Sequence, residues 1–286
     1  MQNIADLHVQ IYSDGADLSN IVEMAARPWI RGFTTNPTLM RKAGIRDYEG
    51  FARSVLQAVP DRPVSFEVFA DDETEMERQA LTIAAWGPNV NVKIPVTNLS
   101  GVFSGRLIRR LGEAGVAVNV TAILTLDQVR RVAEALAPET AAIVSVFAGR
   151  IADTGIDPVP IMVEAKRLLQ AKPRAQLLWA SPRELLNIFQ AETAGCDIIT
   201  VPPEILRKMG IVGKNLADYS RETVEMFYRD AEASAYRIDT SALVAAQLDG
   251  QGLANRLTEY DLNRFHHGSH RVVGCGTALV AGDARN

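Results

Sequence analysis

Eight short apolar segments, separated by stretches with helical periodicity, fill the first 201 residues of this 286-residue chain. Each segment is rich in Val, Ile or aromatic residues and is bounded by Gly, Pro or polar residues, which is the pattern of a buried strand. The predicted strands cover residues 8–13, 31–36, 64–68, 90–95, 117–121, 141–147, 176–181 and 197–201. Strands that alternate with helices form parallel sheets, so the pattern predicts an α/β fold.

The helices between these strands are predicted from apolar residues at helical spacing and from capping residues. Asp17 and Leu18 open the first helix, and Asp71 or Asp72 caps another that runs to Trp86. Further helices are predicted at residues 47–59, 100–115, 126–137, 158–170 and 221–235, and after Arg183 and Pro203. Strand and helix therefore alternate through the whole region.

Two architectures fit this alternation, a closed (β/α)8 barrel and an open doubly wound sheet. An open sheet would lead us to expect a glycine-rich phosphate loop. Neither G-x-G-x-x-G nor G-x-x-x-x-G-K-[ST] occurs in the sequence. We therefore predict a (β/α)8 TIM barrel, with its additional C-terminal helix, as a catalytic domain over residues 1–237. Residues 238–286 are predicted as a tail whose structure the pattern does not define.

Composition and charge exclude several other classes of protein. The chain carries 30 Lys and Arg residues against 34 Asp and Glu residues, and this net charge of −4 gives no basic surface for nucleic acid. It has no run of 18 apolar residues, and its first residues lack the basic and apolar parts of a signal peptide. Cys196 and Cys275 lie far apart, which is typical of a reduced protein without disulfides. We expect a cytoplasmic protein that binds neither nucleic acid nor membrane.

Polar side chains stand at the C-terminal end of almost every predicted strand. In a (β/α)8 barrel these ends meet at one face, where the chemistry of such barrels takes place. The residues collected there are Asp14, Asn36, Glu67, Lys93, Asn119, Thr121, Ser145, Ser181 and Arg183. Some polar residues are expected at any strand end, but a lysine among carboxylates, asparagines and arginines is typical of a functional site.

Lys93 is the most informative of these residues, because it lies near the end of the apolar strand at residues 90–95. A lysine on a buried strand is costly unless its charge is compensated. It could extend its amine to solvent or pair with an acid at the strand end. Alternatively it could be a reactive amine, since desolvation and nearby cations favour the free amine that forms a Schiff base with a carbonyl group.

The histidine inventory argues against two common mechanisms. His8 lies at the start of the first strand, at the opposite face of the predicted barrel, and the other three histidines lie at residues 266–270. Neither a cluster of metal ligands nor a Ser-His-Asp triad is therefore expected in the barrel. General acid–base chemistry is left to Asp14, Glu67 or a lysine. The tail histidines could hold a metal, although a solvated segment is the simpler interpretation.

Six segments of the chain, taken in order, resemble the transaldolase family, which includes the smaller fructose-6-phosphate aldolases. The segments are Gly32–Thr38 (GFTTNPT), Val92–Pro95 (VKIP), Asn119–Thr121 (NVT), Ser145–Ile151 (SVFAGRI), Ala180–Arg183 (ASPR) and Ala194–Pro202 (AGCDIITVP). The resemblance extends over roughly residues 8–235 and does not include residues 239–286. It implies a (β/α)8 barrel enzyme that uses a lysine Schiff base and needs no metal or organic cofactor.

The resemblance implies a role for each catalytic residue. Lys93 would form the Schiff base with C2 of a ketose phosphate, and the iminium would act as an electron sink. Asp14 would take the proton of the C4 hydroxyl as the C3–C4 bond breaks. Glu67 and Thr121 would hold a water that relays protons. A simpler interpretation of Asp14 is a helix N-cap.

The resemblance also implies two groups of substrate ligands. The hydroxyl groups of the retained dihydroxyacetone unit would be bound by Asn36, Asn119 and Ser145. The phosphate would be bound by Arg150, Ser181 and Arg183, with forked bonds from the guanidinium groups. Simpler interpretations remain for several of them: Asn36 as a turn residue, Ser145 as part of the core, and the two arginines as members of surface ion pairs.

Departures from the family pattern bear on the reaction. Val146, Ala148 and Pro182 replace residues that are more often proline, a larger apolar residue and an aromatic residue. Phe147 and Glu67 stand where the aldolase branch has tyrosine and glutamine, which favours transfer over simple cleavage.

The predicted function is therefore transfer of a dihydroxyacetone unit from fructose 6-phosphate or sedoheptulose 7-phosphate to an aldose phosphate, in the pentose phosphate pathway. The alternatives are a fructose-6-phosphate aldolase that releases free dihydroxyacetone, and a non-catalytic barrel that binds sugar phosphates. Sugar phosphates are the expected small-molecule partners, and we also expect a homo-oligomer.

Overall fold

Eight parallel strands close into a barrel in the computed structural model, which describes residues 6–241. The strands are β1 Gln10–Asp14, β2 Ile30–Thr34, β3 Val64–Glu67, β4 Val90–Pro95, β5 Val118–Ile123, β6 Ala142–Val146, β7 Ala175–Trp179 and β8 Ile198–Val201. They follow one another around the barrel in chain order, and β1 pairs with β8 to complete it. The predicted (β/α)8 barrel is confirmed, with all eight strands at the predicted places.

Helices follow the strands around this barrel. They are α1 Leu18–Ala25, α2 Pro37–Lys42, α3 Tyr48–Ala58, α4 Glu73–Ala84, α5 Gly105–Glu113, α6 Leu126–Ala135, α7 Ala148–Ala152, α8 Pro158–Leu169, α9 Leu186–Thr193 and α10 Pro203–Leu206, followed by a 3₁₀ helix at Arg207–Ile211. The prediction missed α2 and α7, because six and five residues are too few to show helical periodicity. It also began the helix after β4 too early, since α5 starts only at Gly105.

Capping side chains fix where these helices begin. Asp17 caps α1 by accepting a hydrogen bond from the Asn20 N–H, so Asp14 is free of that role. Asp72, one of the two predicted candidates, caps α4. Asn36 caps α2 through its Oδ1, which accepts from the Leu39 N–H at 3.0 Å. The cap at Asn36 turns the chain sharply away from β2 at the C-terminal face of the barrel.

The core has two layers, and their arrangement positions the site. The larger layer lies between the barrel and the helices and includes the fully buried Phe33, Phe66 and Trp179. A second, smaller cluster consists of Tyr12, Ile143, Leu178, Ala180 and Ile198. Four of these side chains come from four different strands, and Ala180 directly follows β7, so together they fill the barrel interior as barrels of this size require. Polar side chains follow them along the strands, towards the C-terminal ends.

The chain divides into two compact units, Met1–Gly213 and Lys214–Asn286. The first contains the whole barrel. In the second, α11 (Leu216–Ala233) begins five residues before the helix predicted at 221–235, with Asn215 as its cap. The boundary of the catalytic domain, expected after residue 237, stays a prediction.

The tail histidines at 266–270 lie outside the described residues. Within residues 6–241, no helix is both long and apolar enough to cross a bilayer.

Candidate active site

A cavity of about 450 Å³ opens at the C-terminal ends of the strands. Ten of the eleven predicted site residues line it: Asp14, Asn36, Glu67, Lys93, Asn119, Thr121, Ser145, Phe147, Arg150 and Ser181. They come from β1, β3, β4, β5 and β6 and from the segments that follow β2, β6 and β7. Only Arg183 is not among the lining residues. Residues far apart in the sequence are thus brought to one mouth, as the barrel topology dictates.

Lys93 lines this cavity and is almost fully buried, with 7% of its surface exposed. Its Nζ donates a hydrogen bond to the Thr35 carbonyl at 2.8 Å and lies 3.1 Å from Glu67 Oε2. Glu67 and Lys93 are partners in the parallel register of β3 and β4, so the sheet itself sets this contact. The two acceptors compensate the burial of the lysine charge at this depth, and Lys93 still lines the cavity.

Asp14 lies at the end of β1 with its carboxyl tied to the neighbouring strand. Its Oδ1 accepts a hydrogen bond from Thr34 Oγ1 at 2.7 Å, and Thr34 Oγ1 lies 2.5 Å from Thr200 Oγ1. Burial raises the pKa of the Asp14 carboxyl above its usual value, although the Lys93 charge and the Thr34 hydrogen bond act in the opposite direction. A carboxyl with a raised pKa in a cavity is suited to exchange a proton with a substrate.

A chain of buried hydrogen bonds crosses the barrel beside Lys93. Asn119 Nδ2 donates to Ser65 Oγ at 3.1 Å, and Ser145 Oγ donates to Asn119 Oδ1 at 2.6 Å. All three side chains are buried, so the bonds fix their orientation. A carboxamide nitrogen carries two N–H donors, and one of those on Asn119 is left for a ligand in the cavity. Ser145 therefore takes part in a polar network and is not simply core.

Thr121 shows a different arrangement. Its Oγ1 is buried and has no hydrogen-bond partner among the described residues. The next residue, Ala122, has a left-handed backbone with φ of 62°, and the register of β5 and β6 shifts between Val120 and Ile123. Such irregularities re-aim side chains next to functional sites and are energetically unfavourable outside glycine. The bulge directs Thr121 and Ala122 to the cavity wall.

The two predicted phosphate ligands are placed differently. Arg150 lines the cavity, its guanidinium carbon lies 5.3 Å from the centre of the Phe147 ring, and no carboxylate of the described chain lies within ion-pair distance. Arg183 instead makes a forked pair with Asp153, with Nε to Oδ1 at 2.9 Å and Nη2 to Oδ2 at 2.5 Å. The surface ion pair considered for the arginines is therefore what the structure contains at Arg183.

Close packing of two loops holds this arginine side of the cavity. The Gly149 N–H donates to the Ala180 carbonyl at 3.2 Å, and a Cβ on Gly149 would lie 1.5 Å from the Ser181 carbonyl oxygen. Ser181 itself has a left-handed backbone with φ of 60°. Only glycine fits at residue 149, because the loop after β7 crosses directly over the start of α7.

Sequence reasoning missed several cavity residues, and two of them, Thr34 and Thr200, contact the Asp14 side of the site. Each lies on a strand beside β1, because Thr34 pairs with Asp14 and Thr200 pairs with Tyr12. The alternation of side chains along a strand places Thr34 on the same face as Gly32, and Thr200 on the same face as Ile198, which packs in the barrel interior. This alternation of inward and outward side chains could have identified both threonines from the sequence. Within residues 6–241, no group of three or more His, Cys, Asp or Glu side chains is arranged to hold a metal.

This chain is similar in sequence to known proteins of one family. The sequence profile described as Transaldolase/Fructose-6-phosphate aldolase matches residues 11–273, which extends the similarity well beyond residue 235. A probable transaldolase of Dehalococcoides mccartyi is 36% identical over 202 residues, covering 70% of this chain and 90% of the relative. A probable transaldolase of Carboxydothermus hydrogenoformans is 32% identical and covers 79% and 99%, respectively. One from Erythrobacter litoralis is 30% identical and covers 80% and 100%. This chain belongs to the transaldolase/fructose-6-phosphate aldolase family.

Proposed function

We propose that this protein is a transaldolase that moves a dihydroxyacetone unit from fructose 6-phosphate or sedoheptulose 7-phosphate to an aldose phosphate. The observation that carries the proposal is the buried Lys93–Glu67 pair in a cavity that Asp14 also lines. Membership of the family and relatives named probable transaldolase support it. A barrel that only binds sugar phosphates would need no buried amine, because keeping one is costly.

The first step joins the lysine to the donor. Glu67, 3.1 Å from Lys93 Nζ, takes a proton from the ammonium group and leaves the amine free to attack C2 of the ketose. The adduct loses its C2 hydroxyl as water and becomes an iminium. Thr121 presents a buried hydroxyl to the same cavity and, with Glu67, is placed to hold the water that shuttles these protons.

The second step breaks the sugar chain. Asp14 takes the proton of the C4 hydroxyl, the C3–C4 bonding electrons move into the iminium, and an aldose phosphate leaves. The bound enamine then attacks the carbonyl carbon of an acceptor aldose phosphate, while Asp14 returns its proton to the new hydroxyl. Hydrolysis of the resulting iminium releases the product ketose. A raised Asp14 pKa suits this exchange, since the group must be ionised before cleavage and protonated after it.

Binding of the donor divides between two sets of side chains. Asn119 and Ser145 hold the hydroxyls nearest Lys93, and Asn36 contributes from the entrance of the cavity, where its Oδ1 is occupied by the helix cap. Arg150 and Ser181 face the phosphate end. Arg183 joins them when it exchanges Asp153 for the phosphate, which offers the same forked geometry. The proposal requires no metal or organic cofactor.

Trapping the imine tests this proposal. Borohydride added with fructose 6-phosphate should leave a dihydroxyacetone-derived mass on the peptide that contains Lys93. Lys93→Met should lose both the adduct and turnover, since no other described residue of the cavity carries a primary amine. Lys208→Met is the matched control, because Lys208 is exposed outside the cavity. An adduct on another lysine, or full activity in Lys93→Met, would refute the mechanism. A cytoplasmic location, a homo-oligomer and a role in the pentose phosphate pathway stay predictions.

A further inference from the structure

The hydrogen-bond ladder between β2 and β3 is interrupted beside the catalytic pair. Thr34 pairs with Ser65, and the Thr35 N–H donates to the Ser65 carbonyl at 3.1 Å. One step further, a parallel ladder would join the Glu67 N–H to the Thr35 carbonyl. Instead the Thr35 carbonyl accepts from Lys93 Nζ at 2.8 Å. The Glu67 amide therefore needs another acceptor, since an unpaired backbone group inside a protein is costly.

Tyr48 supplies that acceptor from the first residue of α3. Its hydroxyl accepts a hydrogen bond from the Glu67 N–H at 2.8 Å and donates one to the Glu67 carbonyl at 3.0 Å. One phenolic group thus takes the place of a neighbouring strand for both polar backbone groups of Glu67. Asp47 secures the start of α3 by accepting from the Gly50 N–H at 2.9 Å, so the helix end that carries Tyr48 is itself fixed.

Three aromatic side chains hold the Tyr48 ring in place. Its centre lies 4.6 Å from that of Phe69, 5.2 Å from that of Trp86 and 6.2 Å from that of Phe66. The contacts with Trp86 and Phe66 are edge-to-face, a geometry that stabilises aromatic pairs. Burial raises the pKa of the phenol above its usual value, so the hydroxyl keeps its proton throughout the neutral range.

We propose that Tyr48 is a positioning residue for the Lys93–Glu67 pair, an inference that rests on the proposed transaldolase function. By binding the Glu67 amide, Tyr48 leaves the Thr35 carbonyl to Lys93. The lysine amine is then held between two acceptors, the Thr35 carbonyl and Glu67 Oε2, at the wall of the cavity. Without the hydroxyl, the Glu67 N–H and Lys93 Nζ compete for the Thr35 carbonyl, and both side chains of the pair lose their fixed position.

Tyr48→Phe tests this inference, because it removes the hydroxyl and keeps the ring. With fructose 6-phosphate and borohydride, we expect the adduct on the Lys93 peptide to form about ten-fold more slowly than in the wild type, as loss of two hydrogen bonds at a reacting pair implies. The final extent of labelling should be unchanged, kcat should fall in parallel, and KM should change little. In hydrogen exchange, the peptide that contains β3 should exchange faster in the variant.

Thr140→Val is the matched control for a lost side chain–backbone hydrogen bond. Thr140 Oγ1 donates to the Gly112 carbonyl at 2.6 Å, before β6 begins and thus at the end of the barrel opposite the cavity. This variant should have a lower melting temperature, as Tyr48→Phe should, but the borohydride adduct should form on its Lys93 at the wild-type rate. Wild-type labelling by Tyr48→Phe, or equal slowing in both variants, overturns the inference.

The two proposals fail in different ways. If the wild type forms no adduct on Lys93, the proposed function fails, and hydrogen exchange then judges the role of Tyr48 separately. Unchanged exchange of the β3 peptide in Tyr48→Phe would show that the hydroxyl does not hold Glu67, whatever the enzyme does.

Discussion

The two sides of the cavity are built in different ways. On the β1–β4 side, Asp14, Glu67 and Lys93 are half-buried or buried, and each is joined to a neighbour by a contact of about 3 Å or less. On the opposite side, Arg150 and Arg183 are exposed; one lies over the Phe147 ring and the other is paired with Asp153. The strands hold the first set, whereas the segments that follow the strands hold the second.

This difference teaches which part of the proposed reaction is fixed in advance. Groups that transfer protons or form bonds must be positioned relative to their targets to within a few tenths of an ångström, and buried networks can hold them so. A phosphate is recognised by charge and tolerates a wider range of ligand geometries than a reacting group does. Its ligands can therefore form an exposed ion pair with a protein carboxylate until the substrate binds. We expect substitutions on the first side to lower kcat and those on the second side to act mainly on substrate affinity.

Asp14→Asn should have the largest effect on activity among the following variants. Loss of a general acid–base group lowers kcat by roughly 10²–10⁴-fold. The amide oxygen still accepts from Thr34, so the strand contact survives and KM should change little. Steady-state kinetics with fructose 6-phosphate and erythrose 4-phosphate measures both constants. A variant that retains kcat would show that the proton of the C4 hydroxyl goes elsewhere.

The same substitution should make the protein more stable at neutral pH. Burial raises the pKa of Asp14 in the folded state above that of the unfolded chain. The unfolded state therefore releases this proton more readily, and the wild type loses stability as the pH rises through the folded pKa. Asp14→Asn should raise the melting temperature at pH 7 by a few degrees, roughly the shift that a small change in unfolding free energy produces. At a pH below the usual aspartate pKa, the two proteins should melt together.

Arg150→Ala and Arg183→Ala should weaken the binding of the donor's phosphate group. Each removes charged hydrogen bonds to the phosphate and so costs roughly 2 kcal/mol of transition-state stabilisation for phosphorylated donors. This loss lowers their kcat/KM by about 30-fold. Arg150 already lines the cavity, whereas Arg183 must leave Asp153, so the loss should be greater for Arg150. Fructose serves as the unphosphorylated control in both assays. Equal losses for fructose and fructose 6-phosphate would show that these arginines are structural.

Asp153→Asn should sharpen this contrast in the opposite direction. The Asp153 carboxylate holds the Arg183 guanidinium in a forked pair, and that pair keeps the pKa of Asp153 below its usual value. Removing its charge frees Arg183 for the phosphate, and KM for fructose 6-phosphate should fall by about two- to three-fold, since exposed ion pairs are weak. The gain should vanish in the Arg183→Ala background, which a double-mutant cycle measures. An unchanged KM would mean that Asp153 does not compete with the substrate.

Much of the strand side could be predicted from the sequence, because the barrel topology leaves little freedom there. Once eight strands are recognised, their C-terminal ends must meet, and the parity of Glu67, Lys93 and Asn119 along their strands fixes which side chains face inward. Thr34 and Thr200 follow the same rule, but single threonines on apolar strands resemble ordinary strand residues.

The remaining features depend on contacts that no local pattern encodes. The pairing of Arg183 with Asp153 depends on the direction of two exposed side chains that are 30 residues apart. Tyr48 reaches Glu67 only because β2 ends early and α3 returns beside it. Each is decided by tertiary structure.

Phe147→Tyr should give an effect as small as that of Asp153→Asn, and it bears on whether the enzyme transfers or simply cleaves. Phe147 lines the cavity beside Arg150 and presents no hydroxyl to the enamine, whereas Glu67 and Thr121, which also line the cavity, can hold a water. Without a proton donor beside it, the enamine should persist until an acceptor aldehyde binds, so free dihydroxyacetone should form slowly when no acceptor is present.

In Phe147→Tyr, the tyrosine hydroxyl could position a water or donate a proton there. Release of free dihydroxyacetone should then rise by about three-fold, the scale of one added hydrogen bond. Transfer to erythrose 4-phosphate should fall correspondingly, with Phe189→Tyr as a control in α9, outside the cavity. If the wild type cleaves fructose 6-phosphate equally fast with and without an acceptor, the aldolase reaction replaces transfer as the proposed function.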